Sequence, residues 1–398
     1  MFNNCYKLSE LNLANFNTKT VVDMSYLFSN NKKLKKLDLS NFDTSNVFDM
    51  SYMFKGNEEL ESIDLSSFDT SNVENMSHMF EDCKSLKILD LSKFSTEKLI
   101  EMNYMFNSCT SLEKLILTNF KTENIENMAH LFEQCSSLSS LDLSSFRTPN
   151  VTSMSYMFAK CEKLIDLKFN EINSEKVKDM SNMFENAKLL KNIDFSSFIT
   201  KNVNNFANMF YNCESLEQLD LTKFNTKLAS NMRQMFFGCK SLSSLNQKFD
   251  VSSVTDMTSM FDGCSNLKEL DLSEFVTSNL EKAENLFYGC NSLNNLKLDK
   301  FDTSKLTKMD YMFYNCNSLS TLNLSSFTTE NVKSMNFMFT SCKSLTELDL
   351  SNFNTKNCDT FNSIFTGVKK VKISINIENN EILYGNNKDK LEITNKLL

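Results

Sequence analysis

In the stretch "LDLSNFDTSNVFDMSYMFKGN", apolar and polar residues alternate over Leu37–Leu39 and then give way to a different spacing. Alternation of this kind is that of a short strand with one buried face. From Val47 onward the apolar positions are Val47, Met50 and the pair Met53–Phe54, three or four residues apart, and the small slot at Asn57 continues them. That spacing predicts a short α or 3₁₀ helix. Thr44, followed by Ser45 and Asn46, is suited to capping its start. One unit of pattern is therefore strand, turn, short helix, return.

The unit repeats. Aligned on Phe42, equivalent positions fall at Phe16, Phe68, Phe94, Phe120, Phe146, Ile172, Phe198 and Phe224, each 26 residues from the last. They continue at Phe249, Phe275, Phe301, Phe327 and Phe353, with a single interval of 25 where "LNQKF" replaces "LDLTKF". Counting from that Phe as zero, the consensus is F-x-T-x-x-V-x-x-M-x-x-M-F-x-x-C-x-S-L-x-x-L-D-L-S-x. Position +12 is Phe in fifteen copies, Phe2 to Phe365, and +18 is Leu in fourteen, Leu8 to Leu345. A fixed period of this size marks a solenoid whose coils stack on their neighbours. About 14 coils of 26 residues are expected over residues 1–367, with parallel strands forming one face.

Composition narrows the function classes. Phe (35) and Met (22) are abundant while Gly (6), Pro (1) and Trp (0) are scarce, which suits a long buried core and not a disordered chain. A net charge of −8 and the lack of any basic block argue against nucleic acid as a partner. No apolar run approaches the roughly 20 residues of a membrane span, and no signal peptide is visible.

The segments "CKSLKILDLSKFSTEKL" and "CNSLSTLNLSSFTTENV" are similar to the repeats of the BspA-like leucine-rich repeat surface proteins, over about residues 1–367. That resemblance implies a right-handed α/β solenoid with a parallel sheet on one face, short helices on the other and no catalytic centre. It also implies a secreted or surface-attached protein of bacteria or some protists, often one that acts in adhesion.

Most chemistry-bearing residues read as packing. Eleven of the twelve cysteines share position +15, where Asn31, Asn57, Ala187 and Val368 also occur, so the slot is small and buried. Zinc needs clustered ligands such as C-x-x-C pairs, and the chain has none. Free buried thiols are expected. His78 and His130 both sit at +10, two repeats apart, with no nucleophile in a shared setting. No phosphate-binding loop is present. No catalytic residue, cofactor or metal ligand is assigned, and no enzyme activity is expected.

The strand face is more informative. At +22 stand Asp38, Asp64, Asp90, Asp142, Asp194, Asp220, Asp271 and Asp349. Carboxylates one strand spacing apart repel by about 0.9 kcal/mol even in water. Two readings are open: each Asp is satisfied by neighbouring backbone, hydroxyls or lysines, or the column is an acidic stripe for a basic partner or calcium. At +20 the column varies freely, with Lys36, Lys114, Asp166, Gln218, Glu269 and Glu347 among its members. A regular scaffold with one variable exposed column is how repeat proteins build a recognition surface, though drift at exposed positions gives the same variety. Together these fourteen residues form a candidate face for a protein or cell-surface macromolecule.

Regularity breaks at Ser174 and Ala187 and at Gln247, which are candidate bends, partner sites or worn repeats. After Gly367 the period ends: "VKKVKISINI" alternates as a strand, "ENNE" turns, and "ILYG" reads as another strand. Residues 368–398 are expected to form a C-terminal β cap. Met1 and Phe2 occupy +11 and +12 of a repeat lacking its first half, so the expectation is a fragment whose missing part could carry an export signal. A cytoplasmic interaction scaffold, favoured by the unpaired thiols, is the alternative.

Overall fold

The computed structural model describes residues 1–170 and 172–396. It divides into two units, Met1–Asn202 and Val203–Leu398. In both, the expected repeat becomes one coil of a parallel-strand solenoid. Strands begin at +20. In the first unit β1 (Ile88–Asp90) pairs with β2 (Lys114–Ile116), and β3 (Ser140–Leu143) with β4 (Asp166–Phe169). In the second, β5 (Gln218–Leu221) pairs with β6 (Ser244–Gln247), and β7 (Glu269–Asp271) with β8 (Asn295–Lys297). A four-stranded sheet follows, from β9 (Thr321–Asn323), β10 (Glu347–Leu350), β11 (Val371–Ile375) and β12 (Leu391–Lys396). Every pairing is parallel, and the repeats match in register, Ile88 with Lys114 and Glu347 with Thr321, while the β11–β12 pair shifts register between Ile373 and Ser374.

Four expectations need correction. Strands β1 to β11 mark about eleven strand-bearing turns, and they pair in short separate sheets where a single parallel sheet was expected along one face. The short helices opposite the strands are absent as well: among the described residues the one α-helix is α1 (Glu381–Asn387). The reason is backbone handedness. Positions +10 and +14 adopt positive φ in coil after coil, as at Tyr52 (58°) and Gly56 (72°), a conformation that ends a right-handed helix. The segment is instead a ribbon of overlapping turns: Met53 N–H donates to Met50 O, Lys55 to Tyr52 and Asn57 to Phe54. The alternate amides of Met50, Tyr52, Phe54 and Gly56 donate to Asn75, Ser77, Met79 and Glu81 in the next coil. Helical spacing was imitated because overlapping four-residue turns also return a side chain to the core every three or four positions. The third correction is "ILYG", which lies in α1 and not in a strand, with Leu383 buried and Tyr384 N–H bonded to Asn380 O.

The core is as regular as the sequence. The +12 phenylalanines stack through each unit, with centroids 5.9 Å apart for Phe28–Phe54 and 5.3 Å for Phe158–Phe184, then 5.6 Å for Phe210–Phe236 and 5.4 Å for Phe339–Phe365. Phe at zero, Val at +5, Met at +8 and Leu at +18 and +21 close around them.

Thr at +2 caps no helix. Thr44 Oγ1 donates to Asp69 O (2.9 Å) and accepts from Asp69 N–H (2.8 Å), bridging two coils from a buried position. Ser174 does the same with Ile199, so that departure keeps the ladder intact. Gln247 spans the shortened turn: its amide donates to Asp271 O, and its oxygen accepts from Phe249 N–H. At the far end Thr355 passes the ladder to Asn380, whose side chain also donates to Phe353 O.

The cysteine slot proves to be a donor column. The Cys83, Cys109 and Cys135 thiols lie within 3.1–3.2 Å of the Phe54, Phe80 and Phe106 carbonyls one coil back. Asn57 makes the same bond to Phe28 O, which explains why Asn and Cys share the slot. Burial pushes these thiols up, Cys161 to about 12. Ten cysteines are buried, Cys358 is half-buried and Cys5 is exposed, and none forms a disulfide. Titration of the native chain with a thiol-specific reagent should therefore label one cysteine quickly, a second slowly, and all twelve only in denaturant. Rapid labelling of more than two would contradict the buried column.

Candidate partner-binding face

Strand pleating sends +21 and +23 into the core and +20 and +22 outward, so the fourteen candidate residues lie on the strand side of their coils. Lys36, Asp38, Asp64, Asp90, Lys114, Asp142, Asp166 and Asp194 belong to the first unit and are all exposed. Gln218, Asp220, Glu269, Asp271 and Glu347 are exposed in the second unit, where Asp349 is half-buried. Parallel register places Asp142 beside Lys168, Glu269 beside Asn295, Asp271 beside Lys297, and Glu347 between Thr321 and Lys372. Lys36, Asp38, Asp64 and Asp194 occupy the same repeat positions in coils that run through this point without a strand ladder.

The two columns differ in freedom. Each +22 acid turns back on its own chain: Asp38 Oδ1 accepts from Ser40 N–H at 3.0 Å, Asp64 from Ser66 at 2.9 Å and Asp142 from Ser144 at 2.9 Å. Asp220 accepts from both the amide and the hydroxyl of Thr222. These bonds hold the Asp38, Asp90 and Asp220 carboxyls below their ordinary range, through the Ser or Thr hydroxyl first and the backbone amide next. Asp271 goes lowest, to about 2, because Lys297 stands 2.9 Å away in addition to Ser273. The +22 column thus ends each strand with an Asx-type turn, and the local reading explains its constancy. The +20 side chains carry no such duty: the repeat makes no demand on Lys36, Lys114, Gln218 or Glu269 beyond exposure.

The turn side holds a feature that the repeat pattern alone does not announce. Tyr26, Tyr52, His78, Tyr104, His130 and Tyr156, all at +10, stack in one column with centroids 4.3–4.7 Å apart. His78 Nδ1 lies 2.5 Å from Glu81 and His130 Nδ1 lies 2.6 Å from Glu133. The histidines are members of this stack and share no nucleophile. Among the described residues no three of His, Cys, Asp and Glu converge as metal ligands, and no helix is long and apolar enough to cross a membrane.

A family described as "Mycoplasma protein of unknown function, DUF285" matches residues 1–116, 81–192, 164–272, 204–299 and 257–380 in overlapping segments. The chain is a protein of parallel-strand, leucine-containing repeats, and it belongs to that family. Its coils are similar to those of several solved structures. A leucine-rich repeat protein from Bacteroides ovatus shares 20% identity over 79% of this chain and 87% of its own, with a TM-score of 0.42. A leucine rich cell surface protein from Faecalibacterium prausnitzii shares 17% over 76% and 83%, with a TM-score of 0.43. The pneumococcal vaccine antigen PcpA shares 17% over 95% and 84%, with a TM-score of 0.45. No curated protein matches the chain.

Proposed function

We propose that this chain is a non-enzymatic recognition protein of the BspA-like kind, secreted or held at the cell surface, which binds a macromolecular partner through its strand face. The observation that carries the reading is the division of labour between columns. Asp at +22 is tied to its own backbone, while +20 presents a different exposed side chain on nearly every coil. A scaffold that repeats its interior and varies one outward column has the form of a recognition surface. In this reading residues 368–396 serve as the cap, extending the last sheet with β11 and β12, and the last two residues of the expected cap lie outside the described residues.

The test has two parts. Protease shaving of intact source cells should remove the protein, and the purified chain should bind neighbouring or host cells in a saturable manner. Alanine at Lys36, Lys114, Gln218 and Glu269 together should weaken that binding by at least about tenfold, as truncation of several interface side chains does. Alanine at the exposed turn-side residues Lys19, Glu123 and Lys356 should leave it unchanged. Equal loss from both sets would sink the strand-face assignment. Protease-protected, cytosolic protein would turn the search to an intracellular partner, a reading that the ten buried free thiols favour.

A further inference from the structure

On the turn side, position +13 carries an acid at Glu81, Glu133, Glu185 and Asp262. In the first unit these acids are compensated from three directions. The residue at +10 of the same coil contributes His78 to Glu81, His130 to Glu133 and Asn182 to Glu185 (2.7 Å). From the preceding coil, position +13 contributes Lys55, 2.7 Å from Glu81. From the following coil, +14 contributes Lys160, 3.6 Å from Glu133. At Asp262 the three equivalents are Ser259, Phe237 and Gly289, so each source of a cation is missing. Burial pushes the Asp262 carboxyl up to about 7, opposed only by a hydrogen bond from Ser259.

What surrounds Asp262 is aromatic. Tyr211 and Phe237 stack at 4.6 Å and 6°, and Tyr288 and Tyr314 stack at 4.7 Å and 8°. All four occupy +13, so Asp262 is the gap in a column of rings. With coils about 4.8 Å apart, the Phe237 and Tyr288 rings stand roughly 9–10 Å from one another across it. An aspartate is shorter than either ring, which leaves its carboxyl as the floor of the gap. Gly238, Gly263 and Gly289 follow at +14, all with positive φ, and no side chain there overhangs the opening as Lys160 overhangs Glu133.

We propose that this gap, walled by Phe237 and Tyr288 and floored by Asp262, is a binding slot for a guanidinium group, borne by free arginine or by an arginine of a protein. A plate inserted midway lies about 5 Å from each ring, inside the roughly 6 Å range of cation–π attraction. Guanidinium suits the slot better than ammonium because it is planar, weakly hydrated and stacks on rings, while its fork meets a carboxylate edge-on. The slot lies on the opposite side of the coil from the +20 column and stands whether or not the strand face binds a partner.

The test is calorimetric titration of the full chain with L-arginine, with its neutral isostere L-citrulline, and with acetyl-Gly-Arg-Gly amide. Arginine should bind at least about tenfold more tightly than citrulline, the scale of a charge-assisted bond in a half-buried site. Asp262→Asn, which removes an uncompensated charge and should fold, ought to bring arginine down to the citrulline level. Phe237→Leu should weaken it about three- to fivefold. Arginine binding should strengthen as pH rises through about 7, because the carboxyl is neutral below that value and anionic above it. The facing groups keep their protons there: Tyr288, Cys264 and Cys290 are all held above their ordinary ranges by burial. Equal affinity for arginine and citrulline, no saturable binding of either arginine ligand, or Asp262→Asn binding as well as the parent would each overturn the proposal. Tighter binding of the tripeptide assigns the slot to a protein-borne arginine, and parity assigns it to the free amino acid.

Discussion

Replacing Phe158 with alanine is expected to lower the unfolding free energy by about 3–5 kcal/mol, read from urea unfolding followed by tyrosine circular dichroism. The ring is fully buried, stacks on Phe132 at 5.6 Å and on Phe184 at 5.3 Å, and meets the edge of Phe169 at 6.1 Å. Truncation removes the transfer energy of a benzyl group and leaves a cavity that rings on both sides cannot fill without leaving their own stacking positions. A change under about 1 kcal/mol, the size of an ordinary surface effect, would show that the +12 column is not the core.

Thr329→Val is the second large effect, about 2–4 kcal/mol. Thr329 is fully buried, and its hydroxyl donates to Asn354 O (2.9 Å) while accepting from Asn354 N–H (2.8 Å). Valine has nearly the same shape, so packing survives, but the amide and carbonyl of half-buried Asn354 lose their partner together at about 1–3 kcal/mol each. Serine at the same place should cost no more than about 1 kcal/mol, because Ser174 already makes both bonds to Ile199 of the next coil. Valine and serine behaving alike would refute the bridging role and return Thr at +2 to a mere preference for turns.

Both predictions rest on residues whose importance showed as repetition, but the reasons differ. Phe158 was legible as core because a large apolar ring recurring in every copy is held there by packing against its own copies. Thr329 was legible as important and misread in role: a helix cap and a coil-to-coil bridge both place a threonine just before an apolar run. The short helices failed for a related reason. Spacing of three and four is shared by a helix and by overlapping turns, and the sign of φ separates them. A clue did exist in composition. Five of the six glycines, Gly56, Gly238, Gly263, Gly289 and Gly367, fall at +14, and asparagine fills the same position at Asn30, Asn186, Asn212 and Asn315. A column enriched in the two residues that tolerate left-handed backbone predicts a turn there.

By itself, then, the sequence determined the period, the residues that face inward, the parallel stacking and the two outward columns of the strand side. All of these follow from which positions repeat, since a position that must pack against its own copy one coil away is held to one residue type. Only the tertiary structure decided what lies between coils. The thiol donors to phenylalanine carbonyls, the threonine bridge, the stack of Tyr and His at +10 and the place of Asp262, without a cation, between Phe237 and Tyr288 are all relations between residues about one period apart. Their energies depend on distances of a few ångströms across the stack, and those distances exist only once the coils have closed on one another.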